Sequence, residues 1–160
     1  MPRRGNRDPA ARGGDAEGVN DPVIVTGLRD GPLDVVSLIK QIWRTDCGAV
    51  VTFEGTTRSP SEGRDVERLE YEAYEERAST QLRALAGEAV ERFGLGGVVA
   101  VHRIGVVPVG EPSVVVACAA AHRGEAFEGA RWLIDRIKAD AAIWKKEIFA
   151  GGERWVGVDG

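Results

Sequence analysis

Apolar residues recur at helical spacing in two long segments of the chain. Positions three and four residues apart lie on one face of a helix, so this spacing predicts an amphipathic helix with one buried stripe. The two segments are residues 75–93 and 125–141. The predicted buried stripes are Ala78, Leu82, Leu85, Ala89 and Phe93 in the first segment, and Phe127, Ala130, Ile134, Ile137 and Ala141 in the second. A shorter helix is predicted from Asp34, a favourable N-cap residue, to Arg44.

Runs rich in β-branched and aromatic residues predict strands between these helices. The predicted strands are residues 23–26, 48–55, 66–74, 98–104 and 113–121. A turn around residues 108–112 joins the last two strands, and residues 59–65 are predicted to be a polar surface loop. Because strands and helices do not alternate strictly, the pattern predicts an α+β fold with a largely antiparallel sheet and flanking helices.

Domain organisation follows from the distribution of large apolar residues. Residues 1–20 contain almost none, so they cannot offset the entropy cost of ordering and are expected to be a disordered tail. Residues 21–160 are long enough for one core and are predicted to form a single domain. Trp144 and Trp155, near the end of this domain, are expected to pack as anchors.

Composition removes several classes of function. The formal net charge of -4 argues against nucleic-acid binding, and no apolar run is long enough to span a bilayer. Cys47 and Cys118 have no metal-ligand spacing, so neither a zinc site nor a disulfide framework is expected. Both are predicted to be reduced, inert thiols in a cytoplasmic protein. We therefore expect no metal and no cofactor.

Cationic residues nevertheless collect at the predicted ends of strands and helices. They are Arg58, His122, Arg123, Lys138, Lys145 and Lys146. Backbone N–H groups at a helix N-terminus favour anions, and an arginine adds a bidentate donor for phosphate or carboxylate. Each residue alone has an ordinary interpretation, such as a surface ion pair or a charge that complements a helix dipole. Together they predict an anion site, without naming a reaction.

Lys138 and Lys145 are seven residues apart. If the helix continued through both, they would lie on one face with Cα atoms roughly 10 Å apart. That spacing suits the two ends of a phosphorylated ligand.

At these same residues the sequence resembles the large subunit of molybdopterin synthase. The matching segments are GAVVTFEGTTR (48–58), LEYEAYEERA (69–78), HRIG (102–105), AHRGEAFEGARWLID (121–135), IKADAAIWKKE (137–147) and ERWV (153–156). The resemblance implies an α/β hammerhead fold and a homodimer within a heterotetramer. The partner implied is a small ubiquitin-like sulfur carrier with a C-terminal Gly-Gly thiocarboxylate. It would pass sulfur to cyclic pyranopterin monophosphate (precursor Z), and two transfers would build the dithiolene of molybdopterin.

The resemblance also assigns roles to individual residues. It places catalysis on Lys138 and Lys145, with Lys138 as the proton shuttle. The implied substrate-binding residues are Thr56, Thr57, Arg58, His122, Arg123, Lys145, Lys146, Glu147 and Arg154. Family members often carry proline where this chain has Ala142, and some carry lysine at the position of Thr56.

Three other interpretations fit parts of the sequence. A subunit that binds the carrier without catalysis would not need both Lys138 and Lys145. An unrelated anion-binding module would share only the fold. A thiol-based sulfurtransferase would need a reactive cysteine in an exposed, electropositive setting, which neither Cys47 nor Cys118 resembles.

Overall fold

A computed structural model describes residues 21–157, which contain seven strands and three helices. In chain order they are β1 (Val23–Asp30), α1 (Val35–Lys40), β2 (Ala49–Thr56), β3 (Val66–Ala73), α2 (Glu75–Phe93), β4 (Gly97–Pro108), β5 (Pro112–Ala120), α3 (Arg123–Asp140), β6 (Ile143–Phe149) and β7 (Gly152–Val156). The tail predicted over residues 1–20 lies outside the described residues, as do residues 158–160.

The strands form one sheet in the order β2-β5-β4-β3-β6-β7, with β1 beside β4. The β1–β4 pair is parallel and every other pair is antiparallel. The predicted α+β fold with a largely antiparallel sheet is therefore confirmed.

Strand β4 connects the two halves of this sheet. Its first part, up to Ile104, pairs with β1 and β5, whereas its last four residues, from Gly105 to Pro108, pair with β3. Gly105 has a φ of 81°, a conformation that favours glycine. Gly105 lies where β4 stops pairing with β1 and β5 and begins to pair with β3. The two halves of the sheet therefore meet next to this residue.

Helices α2 and α3 pack on one face of the first half of the sheet. Their buried residues join Val98, Val116 and Cys118 in the larger core cluster. Helix α2 has exactly the predicted bounds, with Glu75 and Glu76 at its N-terminus and Gly94 as a left-handed C-cap. The opposite face is covered by the short helix α1, where the side chain of Asp34 accepts from the Ser37 N–H as the predicted N-cap.

Two predictions about the helices were wrong. The buried stripe of α3 does not include Phe127, which is 61% exposed. The buried residues of this helix are Ala126, Gly129, Ala130, Leu133, Ile134 and Ile137, and Gly129 packs close to Leu95 and Cys118. Helix α1 ends at Lys40, before Arg44.

The region after α3 also differs from the sequence-based prediction. Trp144 and Trp155 are 37% and 44% exposed and lie on β6 and β7, a hairpin that the pattern did not predict. Among residues 21–157, no helix combines the length and the apolar character needed to cross a membrane.

Candidate functional site

A cavity of about 450 Å³ lies where the two halves of the sheet meet the C-terminal end of α3. Three cationic residues line it, together with neutral polar residues and a carboxylate. The cations are Arg58, Lys138 and Lys145; the other polar residues are Thr56, Ser61, Tyr71, His102, Ser113 and Glu147. Leu69, Ile134, Ile137 and Ile143 are among its apolar lining residues.

Each of the three cations reaches the cavity from a different element. Lys138 lies in the last turn of α3, and Lys145 lies on β6 opposite Tyr71 of β3. Arg58 follows β2, where the backbone of Thr57 is held by the β4–β5 turn: Thr57 N–H donates to Glu111 O at 3.1 Å, and Gly110 N–H donates to Thr57 O at 2.8 Å. The fold therefore converges three positive charges on one cavity.

The helix does not continue through both lysines. Helix α3 ends at Asp140, and Ala141 has extended φ and ψ of -70° and 138°. Lys145 is on a strand, so the predicted helical spacing from Lys138 does not apply. The two lysines still line one cavity because the chain turns directly from α3 into β6.

The turn between α3 and β6 is fixed by the side chain of Gln81 on α2. Its Nε2 donates to the carbonyl oxygen of Asp140, and its Oε1 accepts from the Ala142 N–H, both at 2.8 Å. A proline at position 142 has no N–H and could not make the second bond. Ala142 thus makes a specific contact that proline at this position would remove.

The electrostatic environment of Lys145 is mixed. Burial lowers the pKa of Lys145; the Glu147 carboxylate opposes that effect, and the positive charges of Lys138, Arg58 and Arg154 lower the pKa further. An ammonium group in such surroundings gives up its proton more readily than a solvated lysine.

The neutral part of the cavity is a chain of hydrogen bonds and ring contacts. The Tyr71 hydroxyl donates to Ser113 Oγ at 3.3 Å, and Ser113 donates to Gly55 O at 3.1 Å. The His102 ring meets Tyr71 edge-on with centroids 4.8 Å apart. Burial lowers the pKa of His102 to about 4, so this ring carries no charge at pH 7.

Glu147 and Arg154 are tied to each other and to the loop after β2. Arg154 pairs with Glu147 at 3.2 Å and with Glu62 of that loop. Ser61 donates to the other oxygen of Glu147 at 3.2 Å. Both of these predicted site residues therefore lie at or beside the cavity, with both oxygens of Glu147 and the two terminal guanidinium nitrogens of Arg154 engaged within the chain.

The remaining predicted site residues lie elsewhere in this chain. Lys146 pairs with Glu70 and Glu153 and stacks on Trp155, and Thr57 is buried outside the cavity lining. His122 and Arg123 line a second, open pocket of about 600 Å³ at the N-terminus of α3. They are about 15 residues, or roughly 22 Å, from Lys138 along the helix.

Several cavity residues were not singled out from the sequence. Ser61, Tyr71, His102 and Ser113 line the site but belong to no chemical motif. The only signal was indirect, since Tyr71 and His102 fall within segments that carried the family resemblance.

The cysteines and the acidic residues do not form a second centre. Burial raises the pKa of Cys118 to about 12, and burial also raises that of Cys47. Both thiols are free and protonated at neutral pH. Within residues 21–157, no group of three His, Cys, Asp or Glu side chains is placed to hold a metal ion.

Comparison with known proteins gives consistent matches. A family model described as "MoaE protein" matches residues 28–140. The molybdopterin synthase catalytic subunit of Oryza sativa subsp. indica is 45% identical over 135 residues, which is 84% of this chain and 70% of that protein.

Two solved structures share the fold. The molybdopterin synthase structure from Staphylococcus aureus has a TM-score of 0.77 at 33% identity and covers 81% of this chain and 94% of that one. A complex of subunits 1 and 2 of molybdopterin-converting factor from Helicobacter pylori 26695 has a TM-score of 0.70 over 85% of this chain and 92% of that one. At 22% identity, the second match supports the fold alone.

Proposed function

The chain belongs to the MoaE protein family, and from that premise we propose that it is the catalytic subunit of a molybdopterin synthase. Its relatives of that name match over most of its length. The reaction is sulfur transfer from a thiocarboxylated carrier protein to precursor Z, repeated once to complete the dithiolene. We propose that it takes place in the cytoplasm, with residues 21–160 acting as one domain.

The observation that carries this proposal is the convergence of Arg58, Lys138 and Lys145 on one cavity of about 450 Å³. The carrier's thiocarboxylate and the substrate's phosphate are both anions. Fixed cations in a partly water-excluded site stabilise such groups more strongly than water does, because they need not reorganise during the reaction. The cavity thus has the charge that the proposed reactants require.

The roles divide according to position and charge. Lys138 is the proton shuttle: the thiocarboxylate sulfur adds to the substrate, water then cleaves the carbon–sulfur bond to the carrier, and the carrier leaves as a carboxylate while the sulfur stays on the substrate. Lys145, whose pKa is lowered by burial and by the neighbouring cations, binds the substrate and the intermediate beside it. Arg58 and Thr56, which also line the cavity, contribute to anion binding.

A homodimer is part of the proposal because one chain does not bring all the predicted residues together. His122 and Arg123 line a separate pocket with free N–H groups of α3, which suits a phosphate or another anion. We assign them to the active site of a second protomer. A small carrier subunit at each end completes a heterotetramer, with the carrier's Gly-Gly tail reaching the cavity.

Reconstitution tests the proposal. The full chain, a thiocarboxylated carrier and precursor Z are combined, and molybdopterin is quantified. The wild-type protein should form product, and Lys138→Ala should lower the rate by a factor of about 100 or more, as expected when a proton shuttle is lost. Lys40→Ala is the matched control, since Lys40 is an exposed lysine on α1, away from the cavity.

The other outcomes distinguish the remaining hypotheses. Carrier binding without product by the wild-type protein would indicate a binding subunit that has lost catalysis. Full activity of Lys138→Ala would remove the proposed proton shuttle. A thiol mechanism is disfavoured because burial raises the pKa of both cysteines, which keeps them in the unreactive thiol form.

A further inference from the structure

Glu147 is a buried carboxylate in a cavity that otherwise collects positive charge. Only 5% of its surface is exposed. It lies on β6 two residues after Lys145, so both side chains point from the same face of the strand and both line the cavity. An ionised carboxylate accepts hydrogen bonds and repels anions, so a role in binding an anionic substrate directly does not fit it.

The oxygens of Glu147 are engaged by its own chain. Oε1 accepts from the Ser61 hydroxyl and Oε2 accepts from the Arg154 guanidinium, both at 3.2 Å. Arg154 also pairs with Glu62, so the loop after β2 and strand β7 hold the carboxylate from two sides. A buried carboxylate that is paired and hydrogen-bonded in this way is held in a fixed position.

We propose that Glu147 is a positioning residue: fixed by Ser61 and Arg154, it keeps a negative charge beside Lys145 and thereby sets the protonation state of that lysine. The inference rests on the proposed function in so far as Lys145 takes part in sulfur transfer. It reassigns Glu147 and Arg154 from substrate ligands to residues that act through Lys145.

Among the groups around Lys145, Glu147 is the one that favours its protonated form. Positive charges reach it from three elements: Lys138 on α3, Arg58 after β2 and Arg154 on β7, and all three oppose its protonation. Tyr71 of β3 lies opposite it in the sheet, and burial raises the pKa of this phenol, so it stays neutral. Glu147 is the carboxylate that counters burial and the three cations.

Competitive acylation of lysines, followed by mass spectrometry at a series of pH values, measures the protonation of Lys145 without any substrate. In Glu147→Gln, which keeps the size of the side chain, the midpoint for labelling of Lys145 should move to lower pH. Arg154→Gln removes a cation and should move the midpoint to higher pH. Misfolding would not produce opposite shifts from two neighbouring substitutions.

Lys146 and Glu153 supply a matched control in the same experiment. Burial lowers the pKa of Lys146, but Glu153 and Glu70 outweigh this effect and raise it. Glu153→Gln should therefore lower the labelling midpoint of Lys146 and leave that of Lys145 unchanged. An unchanged or raised midpoint of Lys145 in Glu147→Gln would overturn the inference.

The pH dependence of the reconstituted reaction tests whether the charge of Glu147 affects catalysis. If Glu147 acts through Lys145, Glu147→Gln should shift the profile to lower pH in the same direction as the labelling midpoint. A variant with a lower rate and an unshifted profile would mean that Glu147 is only structural. Absence of product from the wild-type protein would instead contradict the proposed function, while the labelling result would still stand.

Discussion

His102 lines the cavity with the edge of its ring against Tyr71. Its Nδ1 lies 2.7 Å from the carbonyl oxygen of Arg103, an atom that can only accept. In the neutral ring, Nδ1 therefore carries the proton and Nε2 is an acceptor. Because burial lowers the pKa of His102 to about 4, this residue adds no positive charge to Arg58, Lys138 and Lys145.

The lowered pKa of His102 makes the free energy of unfolding depend on pH. An unfolded histidine titrates near 6.5 and the folded one near 4, so only the unfolded state takes up this proton between these values. Stability should therefore fall as the pH falls from 6.5 to 4, by about 3 kcal/mol from this residue alone. Urea unfolding at several pH values, on the wild-type protein and on His102→Phe, measures this.

His102→Phe keeps an aromatic ring beside Tyr71 but cannot titrate, so its stability should depend less steeply on pH over this range. Carboxylates that begin to titrate near pH 4 are common to both proteins and cancel in the comparison. Equal slopes for the two proteins would show that His102 is not held neutral by the fold.

At the scale of secondary-structure elements, the junction between α3 and β6 determines the relative positions of Lys138 and Lys145. Gln81 holds this junction from α2 through one hydrogen bond on each side of Ala141. The extended ψ of Ala141, 138°, is also the conformation that a following proline requires. The glutamine contact and the family's proline are thus two ways to fix the same turn.

Gln81→Ala should lower the free energy of unfolding by about 1–3 kcal/mol, because two hydrogen bonds, one exposed and one partly buried, are lost. It should also lower the rate of sulfur transfer, because Lys138 and Lys145 are no longer held in fixed positions relative to each other. Gln41→Ala is the control: this glutamine is exposed, and its side chain makes one long hydrogen bond on α1. In an Ala142→Pro background, where the second bond is absent, Gln81→Ala should cost less stability.

Chemical denaturation measures these differences in the free energy of unfolding. It is carried out on the wild type, the two single variants and the double variant. Equal losses for Gln81→Ala with and without Ala142→Pro would mean that the Ala142 N–H bond contributes no stability.

The elements that were predicted correctly are those whose apolar spacing agrees with their burial. Helix α2 has the predicted bounds, and Ala78, Leu82, Leu85 and Ala89 of its predicted stripe are buried in the core. In α3 three residues of the predicted stripe, Ala130, Ile134 and Ile137, are buried, whereas Phe127 in the first turns of the helix is exposed. Periodicity marks the face of a helix, but it does not encode how much of that face the rest of the fold covers.

The β6–β7 hairpin was missed for a reason connected with function. In β6 the inward positions include Lys145 and Glu147, so the usual alternation of apolar and polar residues is absent. Charged residues on an interior face break the rule that reveals a strand, and functional sites are where such exceptions are expected. The sequence therefore indicated that the lysines belong to a functional site, but it did not reveal the strand on which Lys145 lies.

At the scale of the whole molecule, the predicted site residues fall into two groups at opposite ends of α3. Lys138 lies in the main cavity, and Arg123 begins the helix in the second pocket. A rigid helix keeps them roughly 22 Å apart within one chain. If both serve one reaction, the second pocket must come from another protomer, and in a twofold dimer each protomer then contributes to both sites.

Mixing two inactive variants tests this arrangement. Lys138→Ala and Arg123→Ala homodimers are each expected to lose activity, because every composite site lacks one residue. After dissociation and reassociation at equal concentrations, half of the dimers are mixed, and each mixed dimer has one intact site, so the specific activity should recover to about a quarter of the wild-type value. If each site used residues of a single chain, the mixed dimers would contain no intact site and activity would not return. Recovery would therefore place Arg123 opposite Lys138 across the dimer. No recovery, with mixed dimers verified by mass, would show that no site combines Lys138 of one chain with Arg123 of the other, and an active Arg123→Ala homodimer would leave the second pocket outside the active site.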